Sequence, residues 1–277
     1  MIDTRPMQPA LTLFQGRAAD RTSNAVKGSH RLARSLGDYL AMTPVSVGTP
    51  RRPLNAQWDA ELESALPELR QLADTLADHV EKGRFPITIL PLCTGALATL
   101  PVIARCHPDA CLVWLDAHGD LNVPGNSESG YLGGMVVAAA TGEWESGLGN
   151  GWSLEQVILV DGRDLDQAEQ QLINQGGVKH LTSKMLTPEA LSKAIGNRPV
   201  YVHLDCDVLS PGILPTDYSV RGGLNLPQLH DLCAVIGNHA LIGFEVAELE
   251  ENPDYMMSEV VKTLCNALSP LYKRFIP

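Results

Sequence analysis

Five short apolar runs constrain this chain most: Ile87–Leu92, Cys111–Leu115, Val157–Val160, Val200–Leu204 and Leu241–Val246. Each is too short for a buried helix and lacks the in/out alternation of a strand with one wet face. Segments of helical spacing separate or follow them, at Thr94–Cys106, Gly133–Thr141, Leu165–Gln175, Pro188–Ile195, Pro227–His239 and Met256–Leu268. Strands apolar throughout and separated by helices predict an α/β fold, a parallel sheet covered on both faces. Upstream, Leu62, Leu66, Leu69, Leu72 and Leu76 predict a long amphipathic helix over Trp58–Lys82, with a kink or break at Pro67. Residues 1–55 carry prolines at 6, 9, 44, 50 and 53 and read as loop with one helix near 27–40. No linker-like segment interrupts the pattern, so we expect one catalytic domain over 1–277.

Composition narrows the function. A net charge of −11 without a basic patch argues against nucleic acid and suits cationic partners such as metal ions or a guanidinium. No apolar run approaches the ~20 residues that span a bilayer, and the N-terminus lacks the layout of a signal peptide. Cysteines 93, 106, 111, 206, 233 and 265 show no C-x-x-C spacing and read as buried, reduced thiols of a cytoplasmic protein.

The polar residues that end the apolar runs point to a site. CLVWL leads into Asp116-Ala-His118-Gly-Asp120, VYVHL into Asp205-Cys-Asp207, another run ends at Cys93, and LIGFEVA runs into Glu248. Ligands of open parallel sheets bind beyond the carboxyl ends of the strands. Acids crowded at a buried edge repel one another and are poorly solvated, and cations relieve both costs. The D-x-H-x-D and D-x-D spacings place alternate side chains on one side of an extended strand end, where they can clamp two ions. Taken singly, each motif also fits an ordinary polar loop. Carboxylate and imidazole suit manganese or a related divalent ion.

WLDAHGDLN and HLDCDVLSPGILP resemble the second and third motif segments of the ureohydrolase family, which includes arginases, agmatinases and formimidoylglutamases. The resemblance runs from about residue 87 to about 265. It implies a three-layer αβα sandwich around a parallel sheet of about eight strands. It also implies two divalent ions, manganese by expectation, held by Asp116, His118, Asp120, Asp205 and Asp207, and a small guanidino substrate. Glu248 resembles the family glutamate that holds the guanidinium, for which a carboxylate offers paired hydrogen bonds. Asp120 stands where the family aspartate passes a proton to the leaving amine. Asn122 and Ser129 match positions that bind a substrate α-carboxylate, and Asp166 the acid that contacts its α-amino group. Turn formation by Asn122 and Ser129, and a helix-start role for Asp166, are the plainer alternatives.

The chain departs from the family in three places. In LPLCTGALATLP, Cys93 occupies the position of the first histidine ligand; it is either a sixth metal ligand or a buried thiol. As a thiolate it would set five negative ligand charges against four positive, lowering Lewis acidity and favouring softer metals. Gly133 stands where arginases carry a proton-shuttling histidine, a group typically worth 10²–10⁴-fold. LSP at 209–211 replaces the usual Leu-Asp-Pro. These departures, with the amino-acid binders retained, resemble a branch of the family that serves antibiotic biosynthesis and cleaves Nω-hydroxy-L-arginine to hydroxyurea and L-ornithine. Ordinary arginase, agmatinase-like or formimidoylglutamase-like hydrolysis, and an inactive metal-binding scaffold are the alternatives. A related deacetylase is disfavoured because His203, His230 and His239 are isolated; we expect them to be structural. No His–Cys pair is visible in the sequence, so Cys93 is not expected to act as a nucleophile. A homo-oligomer is compatible with the sequence but not written in it.

Overall fold

The computed structural model describes residues 7–277. Eight strands form one sheet: β1 (Pro9–Phe14), β2 (Val45–Val47), β3 (Phe85–Ile89), β4 (Cys111–Asp116), β5 (Val157–Asp161), β6 (Lys179–Leu181), β7 (Val200–Asp205) and β8 (Leu241–Ala247). Their spatial order is β2-β1-β3-β8-β7-β4-β5-β6, and every pairing is parallel. The helices are α1 (Asn24–Leu40), α2 (Trp58–Glu81), α3 (Ala96–Cys106), α4 (Val136–Ala140), α5 (Gln167–Asn174), α6 (Pro188–Ile195), α7 (Leu226–Gly237) and α8 (Met257–Tyr272). None of them is long and apolar enough to cross a membrane.

The two-residue period of a strand divides the core in two. Cys111, Val113 and Leu115 of β4, with Val200, Val202 and Leu204 of β7, pack against α1, α6, α7 and α8. Leu112 and Trp114 of β4, with Tyr201 of β7, face α2, α3 and α4. Helices therefore cover both faces, and the expected αβα layering is observed.

Three strands lie where the sequence predicted none. β1 and β2 fall in the proline-rich first 55 residues, and β6 lies between α5 and α6. β2 and β6 are three-residue edge strands with exposed positions, too short to show a period. β1 opens on Pro9, which a strand tolerates as its first residue. The break expected at Pro67 does not occur: α2 runs as one helix from Trp58 to Glu81, its Leu69, Leu72 and Leu76 buried. Tertiary burial of that apolar stripe outweighs the lost hydrogen bond. Gly133–Thr141 is a 3-10 turn followed by the short α4, and the last helix extends to Tyr272, beyond the expected Leu268.

Because β8 and β7 insert between β3 and β4, strands distant in sequence become neighbours. Their carboxyl ends, with the loops that follow, carry Cys93, Glu248, Asp205 and Asp116 along one edge.

Candidate active site

Asp116 ends β4, and its carboxylate accepts hydrogen bonds from the His118 N–H (2.7 Å) and the Trp114 indole (2.9 Å). Asp205 ends β7 and accepts the Asp207 N–H at 2.7 Å, while Asp207 accepts the Ala117 N–H of the β4 loop at 3.1 Å. The two motif loops are thus laced together by their own carboxylates. Arg163, following β5, tightens this lacing: it pairs with Asp161 and donates to the carbonyls of Asp207 (2.7 Å) and Val208 (3.2 Å). Glu248 follows β8 and accepts the Cys93 N–H at 3.0 Å.

Three acids at these strand ends hold left-handed backbone: Asp120 (φ 52°), Asp161 (φ 78°) and Glu248 (φ 67°). That region is uncommon for residues with a Cβ and gathers at functional sites. At Asp120 the cause is local, because its carbonyl turns to accept the N–H groups of Val137 and Ala138 at the start of α4, at 2.9 and 3.1 Å.

The side chains converge on a cavity of about 440 Å³. Within it, ligand atoms of Cys93, Asp116 and Asp120 lie within 4.8 Å of one another, as do those of Cys93, Asp205 and Glu248, and those of Asp116, His118 and Asp207. All five carboxylates are buried. Burial, then repulsion from neighbouring acids, raises Asp116, Asp120 and Asp205 above the usual carboxylate range. Glu248 is raised mainly by burial, against the opposing Cys93 N–H. His118, with Nδ1 3.1 Å from Asp207 and 3.3 Å from Asp116, is raised because these acids together outweigh its burial. In Asp207 burial is outweighed by His118, and its pKa is lowered. A buried surplus of acid facing one imidazole is the environment a divalent cation neutralises. The oxygen, nitrogen and sulfur donors present fit that role.

Asn122, Ser129 and Asp166 line the same cavity. The Asn122 amide donates to Asp166 at 2.7 Å, and its buried Oδ1 has no hydrogen-bond partner among the described residues. Ser129 Oγ accepts the Tyr131 N–H at 3.2 Å. Glu169, unremarked in the sequence, holds this end together by accepting the N–H groups of Leu121 (2.9 Å) and Asp166 (2.8 Å). Of the metal- and substrate-binding candidates named from the sequence, all line this cavity except Asp116, whose ligand atoms lie within 4.8 Å of those of Cys93 and Asp120.

No second histidine stands beside His203 in sequence, but the fold packs other side chains against it. Its Nε2 stands 3.1 Å from Cys93 Sγ, its Nδ1 2.8 Å from Glu245, and its ring stacks on Trp114 at 3.6 Å. A His–Cys pair, invisible in the sequence, is thus present in the fold. Cys93 Sγ is also 3.1 Å from Asp205. Burial first, then Asp205 and Glu248, raises the Cys93 thiol, so a free thiolate nucleophile is disfavoured without a cation beside it. The signal that could have found His203 is the strand period: Tyr201, His203 and Asp205 share one face. Register does the rest, placing Thr88, Glu245, His203 and Trp114 in one row across four adjacent strands, one pleat below the site. Glu245 accepts from Thr99 (2.6 Å) and Tyr201 (2.9 Å) as well. His230 and His239 do lie outside the cavity, as expected: His239 meets Ser192 at 3.0 Å, and His230 is 3.7 Å from Asp231. All six cysteines are free.

An eight-stranded parallel sheet with an acid-and-histidine cluster beyond its carboxyl edge defines a metal-site hydrolase of the arginase class. The arginase family profile matches residues 33–268, and the chain belongs to that family, the hydrolases acting on C–N bonds of guanidino and amidine groups. Among curated relatives, the N(omega)-hydroxy-L-arginine amidinohydrolase of Streptomyces lavendulae is 36% identical over 263 residues, spanning 95% of this chain and 96% of its own. The arginase of Glaciozyma antarctica is 27% identical over 76% of this chain and 67% of its own. The crystal structure of Entamoeba histolytica arginase in complex with L-ornithine superposes with a TM-score of 0.79 at 23% identity, covering 96% of this chain and 99% of that one. Proclavaminate amidino hydrolase of Streptomyces clavuligerus gives 0.71 at 18% identity, covering 98% and 93%. These two structures establish the fold.

Proposed function

We propose that this protein hydrolyses Nω-hydroxy-L-arginine to hydroxyurea and L-ornithine. The observation that carries the reading is Cys93, placed by the fold among the same donor groups as Asp116, Asp120, Asp205 and Glu248. Gly133 in the cavity lining and the near full-length similarity to a hydroxyarginine amidinohydrolase support it.

Two divalent ions fit the donors. Cys93, Asp116 and Asp120 would hold one, Asp116, His118 and Asp207 the second, and Asp205, which touches Cys93, completes the set. When bound, such ions supply Lewis acidity that makes hydroxide available near neutral pH. The oxygen and nitrogen donors suit manganese, and the sulfur moves preference toward zinc, iron or cobalt. Glu248 accepts N–H bonds from the guanidino group and orients its central carbon. Asn122 and Ser129 offer polar contacts to the α-carboxylate and Asp166 to the α-amino group. Water adds across the bond between that carbon and the ornithine nitrogen: hydroxyl goes to carbon, and a proton to the departing amine. Asp120, which stands where the family aspartate passes a proton to the leaving amine, can hold that proton. We read the sheet and both helix layers as one catalytic domain over 1–277, and the six free cysteines fit a reducing cytoplasm.

The test is a panel of Nω-hydroxyarginine, arginine, agmatine and formimidoylglutamate with elemental analysis of the purified protein. Hydroxyarginine is expected to give the highest kcat/KM. Equal or greater kcat/KM on arginine makes this an ordinary arginase, the second reading, which the retained D-x-H-x-D and D-x-D residues favour.

A further inference from the structure

A ring covers the cavity at Gly133. A Cβ built there would stand 2.4 Å from Cε1 and 3.0 Å from Cζ of Tyr131. Real side chains do not approach so closely, so Tyr131 occupies the space that a side chain at 133 would need. The ring is held from outside. The Arg21 guanidinium lies 5.0 Å from the Tyr131 centroid and 5.1 Å from that of Tyr218, within the reach of cation–π attraction. The two tyrosine rings are 5.8 Å apart, and Tyr218 meets His118 edge-on at 5.4 Å. His118, Tyr218 and Tyr131 therefore make one aromatic wall, clamped by Arg21 and ending over Gly133.

This wall faces the acids. Tyr131 lines the cavity with Cys93, Asp120 and Glu248, and among the described residues its one hydrogen bond to a side chain runs from its backbone N–H to Ser129. Burial, then Glu248, keeps the phenol protonated, so it presents a donor. A guanidinium carries N–H donors and no acceptor. Such a group pairs with Glu248 and the aspartates but offers the phenol no acceptor of its own. An N-hydroxyguanidine adds one oxygen, the acceptor a phenol can use.

We propose that Tyr131 is the specificity-determining residue for an N-hydroxylated guanidine, donating its phenol hydrogen bond to the substrate's hydroxyl oxygen, with Arg21 as the positioning residue that holds the ring over Gly133. The assignment rests on the hydroxyarginine reading above.

The test is Tyr131→Phe, which keeps the ring and removes the donor. It is assayed as metal-loaded enzyme on Nω-hydroxyarginine and arginine, with arginine read as a competitive inhibitor where its turnover is slow. The ratio of kcat/KM, hydroxyarginine over arginine, is expected to fall about tenfold, chiefly through a higher KM for hydroxyarginine. Such a change corresponds to ~1.4 kcal/mol, the upper range of one neutral hydrogen bond. An unchanged ratio, or equal losses on both substrates, overturns the proposal while leaving the substrate reading intact. A wild-type enzyme without preference for hydroxyarginine overturns both. Should Tyr131→Phe fail to fold, Arg21→Met decides: a lowered ratio supports the clamp, and an unchanged one overturns it.

Discussion

Replacing Gly28 with alanine tests how the fold positions Glu248. In a helix interior this change normally stabilises by ~1 kcal/mol, because alanine loses less chain entropy. Here the sign should reverse. Gly28 lies on the buried face of α1, and a Cβ there would stand 1.9 Å from the Leu249 carbonyl oxygen and 2.6 Å from its carbon. Ordinary contact begins near 3.4 Å, so helix and loop must separate by about 1.5 Å. The loop is not free to yield. Glu250 donates to the Pro215 carbonyl at 2.9 Å and Glu251 to the Asn24 carbonyl at 3.0 Å, and Glu251 pairs with Arg31. Overpacking typically costs ~1–3 kcal/mol, and each lost hydrogen bond adds ~1 kcal/mol. After the propensity gain, a net loss of about 2–3 kcal/mol is expected, lowering Tm by roughly 5 °C. Leu249 adjoins Glu248, so its displacement should also raise KM for the guanidino substrate. Urea unfolding and steady-state kinetics read the two effects. A Gly28→Ala protein as stable as wild type would refute the reasoning.

Three further outcomes follow from the same geometry. Asp20 is raised to about 7 by burial and then by Glu61, so its stabilising contribution, complete below the ordinary carboxylate range, is lost as pH rises through 7. Asp20→Asn should therefore lose ~1.4 kcal/mol less stability than wild type between pH 6 and pH 9, as read by urea titration at each pH; parallel curves would refute this. In chelator-treated protein the raised Asp116, Asp120, Asp205 and Glu248 disfavour the folded state increasingly as pH rises. Mn²⁺ at a hundredfold excess over Kd should stabilise by ~2.7 kcal/mol; at a fixed Mn²⁺ concentration the rise in Tm should be larger at pH 8 than at pH 6, and Asp116→Asn should abolish most of it. Glu245→Gln places an amide among three donors, Thr99, Tyr201 and His203, and should cost ~1–3 kcal/mol by urea unfolding; no loss would show that the row is not hydrogen-bonded as described.

Much of the site was legible because its members are close in sequence or carry a family pattern. Asp116, His118 and Asp120 alternate on one strand end, as do Asp205 and Asp207, and each group follows an apolar run. Burial explains what was missed. Glu245 and His203 lie inside apolar strands, and only register makes them partners on adjacent strands. β2 and β6 were missed because three residues cannot display a period, and β1 because it opens on a proline three residues after another.

The sequence by itself determined the parallel α/β layering and the two acid motifs, because the two-residue strand period and the helical repeat are local properties of the chain. Only the tertiary structure decided what meets across the sheet. Cys93 touches His203 and Asp205 because β8 and β7 insert between β3 and β4, and Tyr131 covers Gly133 because Arg21, from a loop far upstream, packs on its ring. Those contacts depend on strand order and side-chain packing between segments distant in the chain, which no local pattern encodes.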